Sequence, residues 1–440
     1  MEIVEEAIKE NINVVFIGHV NSGKSTLSGT ILYISGMVDQ RSIEKFERET
    51  DGVWDKSHVT DTDEEEREKG ITVDVGRGHF NTQTKRYTLL DAPGHKSLVP
   101  NMINGVAQAD VAILVVSARR GEFESGFEKF GQTREHALLA KTLGVKKLIV
   151  VINKMDDITV NWCQDRYEHI KLDIGNYLKT IGWTDITYLP ISGLNEINIR
   201  YTLNKDICAW YDGKPLFDIL DNLKPFENLN SKPLRIPILD KYKDEGKIVI
   251  MGKVETGVLK CGDNIMINPN NIKMTVYQIY NDIGIIPVAN PGENVKIIVK
   301  MDASQSFGKG SVVSHMDNAS IVSKDIVVKL YILDLLPHKP LFTSSYECVI
   351  HIGPCVEEIK VVRLLEQVDN KGNSIKRNPP FVKNKSFVIA HMIINKYICV
   401  EKFTDFEQLG RFTLRDEGHT IGFGKILATN APIAVKRNKI

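Results

Sequence analysis

The sequence predicts a doubly wound α/β domain with a phosphate-binding loop (P-loop), followed by two antiparallel β-barrel domains. Three observations support this fold class: a glycine-rich loop after an apolar strand, strands alternating with helices to about residue 224, and short strands without helices beyond it. Alternation of this kind is typical of a parallel sheet with helices on both faces. The predicted domains are 1–228, 229–322 and 323–440.

The first half contains apolar strands separated by amphipathic segments. Runs such as ILVV and LIVVI do not alternate with polar residues, as expected of parallel strands covered on both faces. A helix is predicted over 133–145, where apolar side chains recur every three or four residues. The predicted strands of this half are 13–18, 71–76, 86–91, 111–118, 147–154 and 186–192.

The pattern changes at a polar linker between Pro225 and Pro233. From residue 234 onward, short strands with alternating hydrophobicity are separated by turns rich in Gly, Asn and Asp. A second strand-rich block begins at about residue 325. Strands at this spacing, without helices between them, predict small antiparallel barrels.

Composition and charge restrict the class of protein. The 440 residues are 42% hydrophobic and 25% charged, no apolar run reaches the about 18 residues of a membrane span, and the acidic N-terminus lacks a secretory pattern. We therefore expect a cytoplasmic protein without a membrane partner. Residues 1–230 carry 27 Lys+Arg and 35 Asp+Glu, and residues 231–440 carry 29 and 21. The net charge is thus −8 for residues 1–230 and +8 for residues 231–440. This difference favours either an acidic partner on the second half or attraction between the protein's own domains.

The stretch GHVNSGKST follows the first strand and has the spacing of a phosphate-binding loop. Its glycines allow backbone N–H groups to turn toward phosphate oxygens, Lys24 can reach the β and γ phosphates, and the Ser25 hydroxyl can bind Mg²⁺. The predicted nucleotide-binding residues here are Gly18, His19, Val20, Asn21, Ser22, Gly23, Lys24, Ser25 and Thr26.

The stretch DAPGH ends the third strand and suits the γ-phosphate side of the same site. Asp91 can orient Mg²⁺ through a water, and the Gly94 N–H can meet the γ-phosphate. Thr72 follows an acidic segment, 60–71, that suits a loop ordered by GTP, and its hydroxyl can join Mg²⁺. His95 is the predicted catalytic residue, because a histidine beside Gly94 can orient the attacking water.

The stretch NKMD, 153–156, ends the fifth strand and predicts guanine as the base. The Asp156 carboxylate can accept hydrogen bonds from two N–H groups that guanine has and adenine lacks, which favours GTP and GDP over adenine nucleotides. Asn153 and Lys154 would brace the loop and cover the ring. Ser192 and Gly193 complete the predicted base pocket.

These motifs together resemble the translational GTPases, which have a GTP-binding domain followed by two β-barrels. The stretches LDAPGHKSLVPNMI, INKMDDITVNW and GRFTLRDEGHTIGFGKIL are most similar to the GTP-binding subunit of the eukaryotic peptide-chain release factor, and the longer stretch 117–162 fits the same family. The similarity covers nearly the whole chain. Asn21 stands where that family usually has Asp.

The resemblance implies a GTPase of translation termination that binds GTP with Mg²⁺ and is stimulated by the ribosome. Its implied partner is the stop-codon-reading class I release factor, bound through the C-terminal barrels, so that the protein is a monomer or a heterodimer with that factor and has no DNA partner. Two alternatives share the same nucleotide site: an elongation factor that carries aminoacyl-tRNA, and the related ribosome-rescue GTPase. A nucleotide-locked scaffold that does not hydrolyse GTP is a further alternative, and His95 argues against it.

Overall fold

The computed structural model describes residues 9–38, 56–59, 72, 74–128, 131–224, 227, 229–244, 247–282, 284–299 and 306–429. The chain divides into two compact units. The first comprises Met1–Lys141 and Val145–Glu227, and the second comprises Thr142–Gly144 and Asn228–Ile440.

The first unit is a six-stranded sheet with helices. Its strands are β1 (Glu10–Ile17), β2 (Gly76–Asn81), β3 (Lys85–Asp91), β4 (Val111–Ser117), β5 (Lys147–Asn153) and β6 (Ile186–Pro190). Its helices are α1 (Lys24–Ile34), α2 (Val99–Ala107), α3 (Glu122–Phe127), α4 (Gln132–Thr142), α5 (Gln164–Thr180) and α6 (Leu216–Asp221). The strand order is β2-β3-β1-β4-β5-β6, and the five strands other than β2 are parallel.

The centre of this sheet is apolar along its length, as the sequence predicts. All seven residues of β4 are buried, and six of the seven in β5 are buried. Helices cover both faces, so these strands need no polar side. The predicted α/β class is confirmed, and the helix predicted over 133–145 is α4.

The edge strand β2 differs from the prediction. A strand was expected over 71–76, but Asp74 and Val75 lie outside any strand, and β2 runs antiparallel to β3. The two are joined by only three residues, Thr82–Thr84, which is too short for the crossover that a parallel pair needs. The segment GRGHFN alternates between more and less exposed residues, as suits an edge strand with one solvated face.

The second unit contains two closed antiparallel barrels, which confirms the predicted fold class. The strands of the first barrel are β7 (Ile236–Asp244), β8 (Lys247–Lys253), β9 (Leu259–Lys260), β10 (Asn264–Asn268), β11 (Ile272–Tyr280), β12 (Ile285–Ile286), β13 (Val288–Ala289), β14 (Asn294–Val299) and β15 (Val312–His315). Those of the second are β16 (Val322–Ile332), β17 (Phe342–Thr343), β18 (Glu347–Ile352), β19 (Cys355–Val368), β20 (Ser374–Arg377), β21 (Phe381–Val382), β22 (Ser386–Cys399), β23 (Arg411–Asp416) and β24 (His419–Thr429), with a short helix α7 (Glu407–Gly410). The first barrel has the strand order β10-β15-β7-β8-β14-β11 and is closed by β10 pairing with β11; the second has the order β18-β23-β24-β16-β22-β19 and is closed by β18 pairing with β19.

A buried ion pair joins the two barrels. The Arg235 Nε donates to Glu401 Oε1 at 3.0 Å, and the two side chains are 3% and 2% exposed. The Arg235 guanidinium also donates to the Asn318 carbonyl at 2.8 Å and lies over the Phe406 ring. Position 228, the predicted end of the first domain, lies outside the described residues, and the division at 322 stays a prediction.

Among the described helices, none combines the length and the apolar character that crossing a membrane requires.

Candidate functional site

The predicted site residues lie where the parallel strands end. The loop 18–26 follows β1, the stretch 91–95 begins at the end of β3, 153–156 begins at the end of β5, and 192–193 follows β6. Phe16 of β1 pairs with Asp91 of β3, and Ile17 pairs with Leu114 of β4; β4 and β5 extend three residues further, to the paired Ser117 and Asn153. The fold therefore brings these four segments to one edge of the sheet, where open α/β sheets bind ligands.

The phosphate-loop backbone needs glycine at two positions. Gly18 and Gly23 have φ of 147° and 89°, and a Cβ on Gly18 would lie 2.2 Å from the Val115 carbonyl oxygen. A Cβ on Gly23 would lie 2.4 Å from Asn153 Nδ2. Asn21 is left-handed at φ 62° and exposed, a conformation that asparagine tolerates better than most residues.

Helix α4 holds the start of this loop. The Gly18 N–H donates to His136 Nδ1 at 3.1 Å, and His136 is fully buried. Because Nδ1 accepts this bond, a neutral His136 carries its proton on Nε2. His136 therefore braces the phosphate loop through a buried hydrogen bond.

Three side chains predicted to bind phosphate and metal converge at the start of α1. The Lys24 Nζ donates to the His19 carbonyl at 2.9 Å, and Ser25 Oγ lies 3.0 Å from Thr72 Oγ1. Hydroxyl oxygens from two separate segments thus meet beside the buried lysine. Oxygen donors of this kind suit Mg²⁺, and Asp91, the third residue predicted to bind the metal, is buried at the end of β3. Thr26 follows on α1 and is partly exposed.

The stretch DAPGH lies close against the phosphate loop. The Ala92 N–H donates to the Phe16 carbonyl at 3.2 Å. A Cβ on Gly94 would lie 2.5 Å from Lys24 Nζ and 3.1 Å from both the Gly18 oxygen and the Val20 nitrogen. Close approach therefore favours glycine at 94, because a Cβ there would displace the Lys24 side chain and press on the phosphate loop.

His95 is exposed and caps the short 3₁₀ turn Lys96–Leu98. Its Nδ1 accepts from the Ser97 N–H at 3.3 Å and lies 2.7 Å from Ser97 Oγ. These contacts turn the Nδ1 side of the imidazole toward Ser97. A neutral His95 with Nδ1 as acceptor carries its proton on Nε2.

His19 lies between the phosphate loop and α3. Burial and the nearby charge of Lys24 lower the pKa of His19, and the Glu122 carboxylate opposes them in part. His19 is thereby favoured as a neutral imidazole. A Cβ added to Gly126 would lie only 3.0 Å from the Cβ of His19, so α3 packs closely against this side chain.

Asn153 ties together the loops at the base end of the site. Its Nδ2 donates to the Ser22 carbonyl at 3.0 Å and its Oδ1 accepts from the Gly193 N–H at 2.9 Å. The Gly193 carbonyl in turn accepts from Thr30 Oγ1 at 2.8 Å. Asn153 is 3% exposed, so it spans the phosphate loop and the predicted base pocket from within the protein.

The other predicted base residues surround this asparagine. Asp156 is partly exposed, and its Oδ2 accepts from Asn195 Nδ2 at 2.6 Å. Ser192 is fully buried, and its backbone pairs with Ile197. Lys154 has a left-handed backbone at φ 60°, and its Nζ donates to Glu122 Oε2 at 2.8 Å.

The sequence reasoning missed several residues that hold the site in place. Thr30 and Asn195 brace the base pocket, and Glu122 contacts Lys154. Glu122 lies in the stretch GEFE, to which the sequence analysis assigns no role. Nothing in the sequence pattern singles out Thr30 or Asn195. Of the acidic segment before Thr72, residues 60–71 lie outside the described residues.

Comparisons with protein families agree with this architecture. The family profile described as "Elongation factor Tu GTP binding domain" matches residues 9–226, and the one described as "GTP-eEF1A C-terminal domain-like" matches residues 326–427. The structure of the S. cerevisiae Ski7 GTPase-like domain bound to GTP is similar with a TM-score of 0.79, covering 96% of this chain and 98% of that one. At 19% identity, that similarity concerns the fold alone.

Comparisons with single proteins are more specific. The chain is 43% identical over 437 residues to a eukaryotic peptide chain release factor GTP-binding subunit of Dictyostelium discoideum, covering 97% of this chain and 78% of the relative. It is 42% identical over 441 residues to the protein of the same name in Kluyveromyces lactis, covering 97% of this chain and 62% of the relative. The chain thus spans less than two thirds of the second relative.

Proposed function

The chain belongs to the family of eukaryotic peptide chain release factor GTP-binding subunits, and from that premise we propose that it is a GTPase of translation termination. In this proposal it binds GTP, associates with the class I release factor that reads the stop codon, and hydrolyses GTP on the ribosome. The observation that carries the proposal is the pair of hydrogen bonds from the Asn153 side chain to Ser22 and Gly193. These bonds join a phosphate loop to a predicted base pocket at one edge of the sheet.

The guanine base is recognised by Asp156 in this proposal. Its carboxylate accepts from Asn195 on one oxygen and retains acceptor capacity for the N1–H and the exocyclic amine of guanine. Adenine has no matching pair of donors on that edge, so it would leave the carboxylate poorly satisfied. Lys154 covers the ring with its methylene stem, and Ser192 and Gly193 lie beside the base carbonyl.

The phosphate end binds the triphosphate and Mg²⁺. Lys24 exchanges its bond to the His19 carbonyl for phosphate oxygens, and the N–H groups of 18–26 bind the same oxygens. Ser25, Thr72 and Asp91 would hold Mg²⁺, which when bound neutralises charge between the β and γ phosphates. Gly94 lies close to Lys24, which supports the assignment of the Gly94 N–H to the γ-phosphate.

Hydrolysis requires a water aligned with the γ-phosphate, and we assign its orientation to His95. In the structure, Nδ1 of His95 is engaged by Ser97, so Nε2 is the nitrogen assigned to the water in this proposal. No arginine of this chain is assigned to stabilise the transition state, so we expect slow intrinsic turnover that the ribosome stimulates.

The second unit is the proposed partner-binding part of the chain. Residues 231–440 carry 29 Lys+Arg and 21 Asp+Glu, a net charge of +8 that favours an acidic partner surface. The exposed strand β20, with Lys376 and Arg377, lies in its second barrel. In this proposal the class I release factor binds there, as a heterodimer, in the cytoplasm.

Calorimetric titration of the GTP-loaded protein tests the proposal. The titrants, in parallel, are the purified class I release factor and aminoacyl-tRNA. We expect tight binding to the release factor alone. Binding to tRNA alone would instead make the protein an elongation-type carrier, an alternative that its basic second half allows. Binding to neither would contradict the proposed partner and direct attention to ribosome-rescue complexes.

A further inference from the structure

The stretch GEFE, residues 121–124, has no part in the function proposed above. Glu122 begins α3 just after β4, and each of its carboxylate oxygens is bonded. Its Oε2 accepts from Lys154 Nζ at 2.8 Å and from Ser117 Oγ at 2.7 Å. Its Oε1 accepts from Arg119 Nη1 at 2.9 Å. One carboxylate therefore connects the end of β4 with the loop that follows β5.

Arg119 makes a second connection to the same loop. Its Nε donates to Asp157 Oδ2 at 2.7 Å, while Asp157 Oδ1 accepts from the N–H and the hydroxyl of Thr159 at 2.9 and 2.6 Å. Bonds from Thr159 and Arg119 lower the pKa of Asp157 to about 2. Asp157 thus stays charged throughout the physiological range, and the loop is bonded on both sides of Asp156.

The charge of Glu122 is also retained. Burial alone would raise the pKa of this carboxyl, but the bonds from Lys154, Ser117 and Arg119 outweigh it and the pKa is lowered. The side chains of Glu122 and Lys154 are only 29% and 24% exposed, so solvent screens their attraction less than it would at an open surface.

The backbone of Lys154 gives an independent sign of constraint. Its φ of 60° is uncommon for a residue other than glycine, and such conformations persist only where the surroundings hold them. The bond to Glu122 fixes the far end of this side chain. A left-handed backbone at one end and an ion pair at the other leave the Lys154 stem little freedom.

We infer that Glu122 is a positioning residue for guanine binding: with Arg119 it clamps the loop Lys154–Asp157 so that Lys154 lies over the base and Asp156 faces its edge. The inference rests on the proposed function, because it concerns the same nucleotide site. Since GTP and GDP share the base, loss of the clamp weakens both nucleotides by the same factor. It acts mainly on nucleotide dissociation, because a loosened loop releases the base more readily.

The test is the affinity of Glu122→Gln for GTP and GDP, measured with the full chain and a fluorescent guanine nucleotide as the competed probe. We expect both affinities to fall on the order of tenfold, the equivalent of one charge-assisted hydrogen bond. The matched control is Glu168→Gln on α5, which loses a pair with Lys171 of the same helix at 3.1 Å. Its affinities should equal those of the wild type.

A double-mutant cycle separates positioning from a general structural effect. If Glu122 acts through Lys154, then Glu122→Gln in a Lys154→Met background should change the affinities by less than about twofold. If the double variant loses affinity by the full product of the two single losses, the inference is overturned.

Arg119→Met provides a second variant should Glu122→Gln not fold, since Arg119 is 45% exposed. We expect this variant to lose affinity several-fold for both nucleotides.

The outcomes also distinguish this inference from the proposed function. If the wild type binds neither GTP nor GDP, the proposed function fails. If the wild type binds both and the Glu122→Gln and Arg119→Met variants bind equally well, the proposed function stands and the positioning role is wrong. A loss confined to GTP would also contradict it, because the γ-phosphate lies at the other end of the site.

Discussion

Both units of the chain bury charged side chains, but their surroundings differ. In the first unit, Lys24 is buried at the start of α1 and Asp91 at the end of β3, against loops predicted to bind a ligand. In the second, Arg235 and Glu401 are buried against each other between two barrels. The first arrangement is suited to interaction with something outside the chain, and the second is complete within the chain. Substitutions should therefore affect binding or catalysis in the first unit and folding in the second.

The largest effect expected is that of His95→Ala on catalysis. Ribosome-stimulated GTP turnover should fall by about 10²- to 10⁴-fold, the usual contribution of a positioned acid–base group, while GTP affinity changes little. Single-turnover hydrolysis with ribosomes, alongside equilibrium binding, measures both quantities. Unimpaired turnover would remove His95 from the mechanism. An unchanged melting temperature is the control that the fold is intact.

In the second unit, Arg235→Met should destabilise the protein by about 3–5 kcal/mol, because it leaves the Glu401 carboxylate buried without its partner. The free energy of unfolding, from denaturant titration of the barrel transition, measures the loss. GTP affinity should be unchanged, which is the point of contrast with the first unit.

The matched control for that substitution is Lys360→Met. Lys360 pairs with Glu347 at 2.8 Å, but both side chains are more than half exposed, so we expect a loss of at most about 1 kcal/mol. Replacing both partners of the buried pair, as Arg235→Met with Glu401→Leu, should recover most of the stability. If the single and double variants were equally unstable, the ion pair would not be the source of the effect.

His351 makes the stability of the second unit depend on pH. It is 3% exposed, and burial together with the charges of Arg415 and Lys309 lowers its pKa to about 4. Below its ordinary pKa of about 6.5, the unfolded chain binds a proton that the folded chain does not, so stability falls as pH drops from about 6.5 to 4. The maximum loss is about 3 kcal/mol. Denaturant titrations at several pH values across this range give the free energy of unfolding, which should depend less steeply on pH for His351→Leu than for the wild type. An identical pH dependence would contradict the assignment.

Asp156→Asn tests base recognition in the first unit. GTP affinity should fall by about 100-fold, and xanthosine triphosphate should be preferred, because the amide offers a donor where guanine also presents one. Competition binding with both nucleotides measures the exchange of preference. Asp173→Asn on α5 is the control. The substitution should leave the stability of both units unchanged. Unchanged GTP affinity would exclude Asp156 from the base pocket.

The sequence was sufficient where structure follows from local pattern. Five of the six strands of the first unit were predicted close to their observed bounds, because long apolar runs distinguish buried parallel strands. The loops that follow these strands lie at one edge of the sheet because the carboxyl ends of parallel strands face the same way. The strand β2 was misplaced because it is an edge strand with weak alternation, and its direction is set by a three-residue connection.

The sequence was insufficient where side chains meet across the fold. Glu122 and Lys154 are 32 residues apart, Asn195 and Asp156 are 39 apart, and the barrel pair Arg235 and Glu401 is 166 apart. No local pattern relates the members of these pairs, since their meeting depends on how the strands are ordered. The roles of the nucleotide residues themselves stay predictions that the experiments above address.

The approach of Gly94 to the phosphate loop has a mechanical consequence. A Cβ on Gly94 would lie 2.5 Å from Lys24 Nζ and 3.1 Å from the Gly18 oxygen and the Val20 nitrogen, so it would displace the lysine and press on the phosphate loop. The two loops are therefore in close contact at this point. A ligand that moves Lys24 changes the packing around Gly94, and Gly94 directly precedes His95 in the chain.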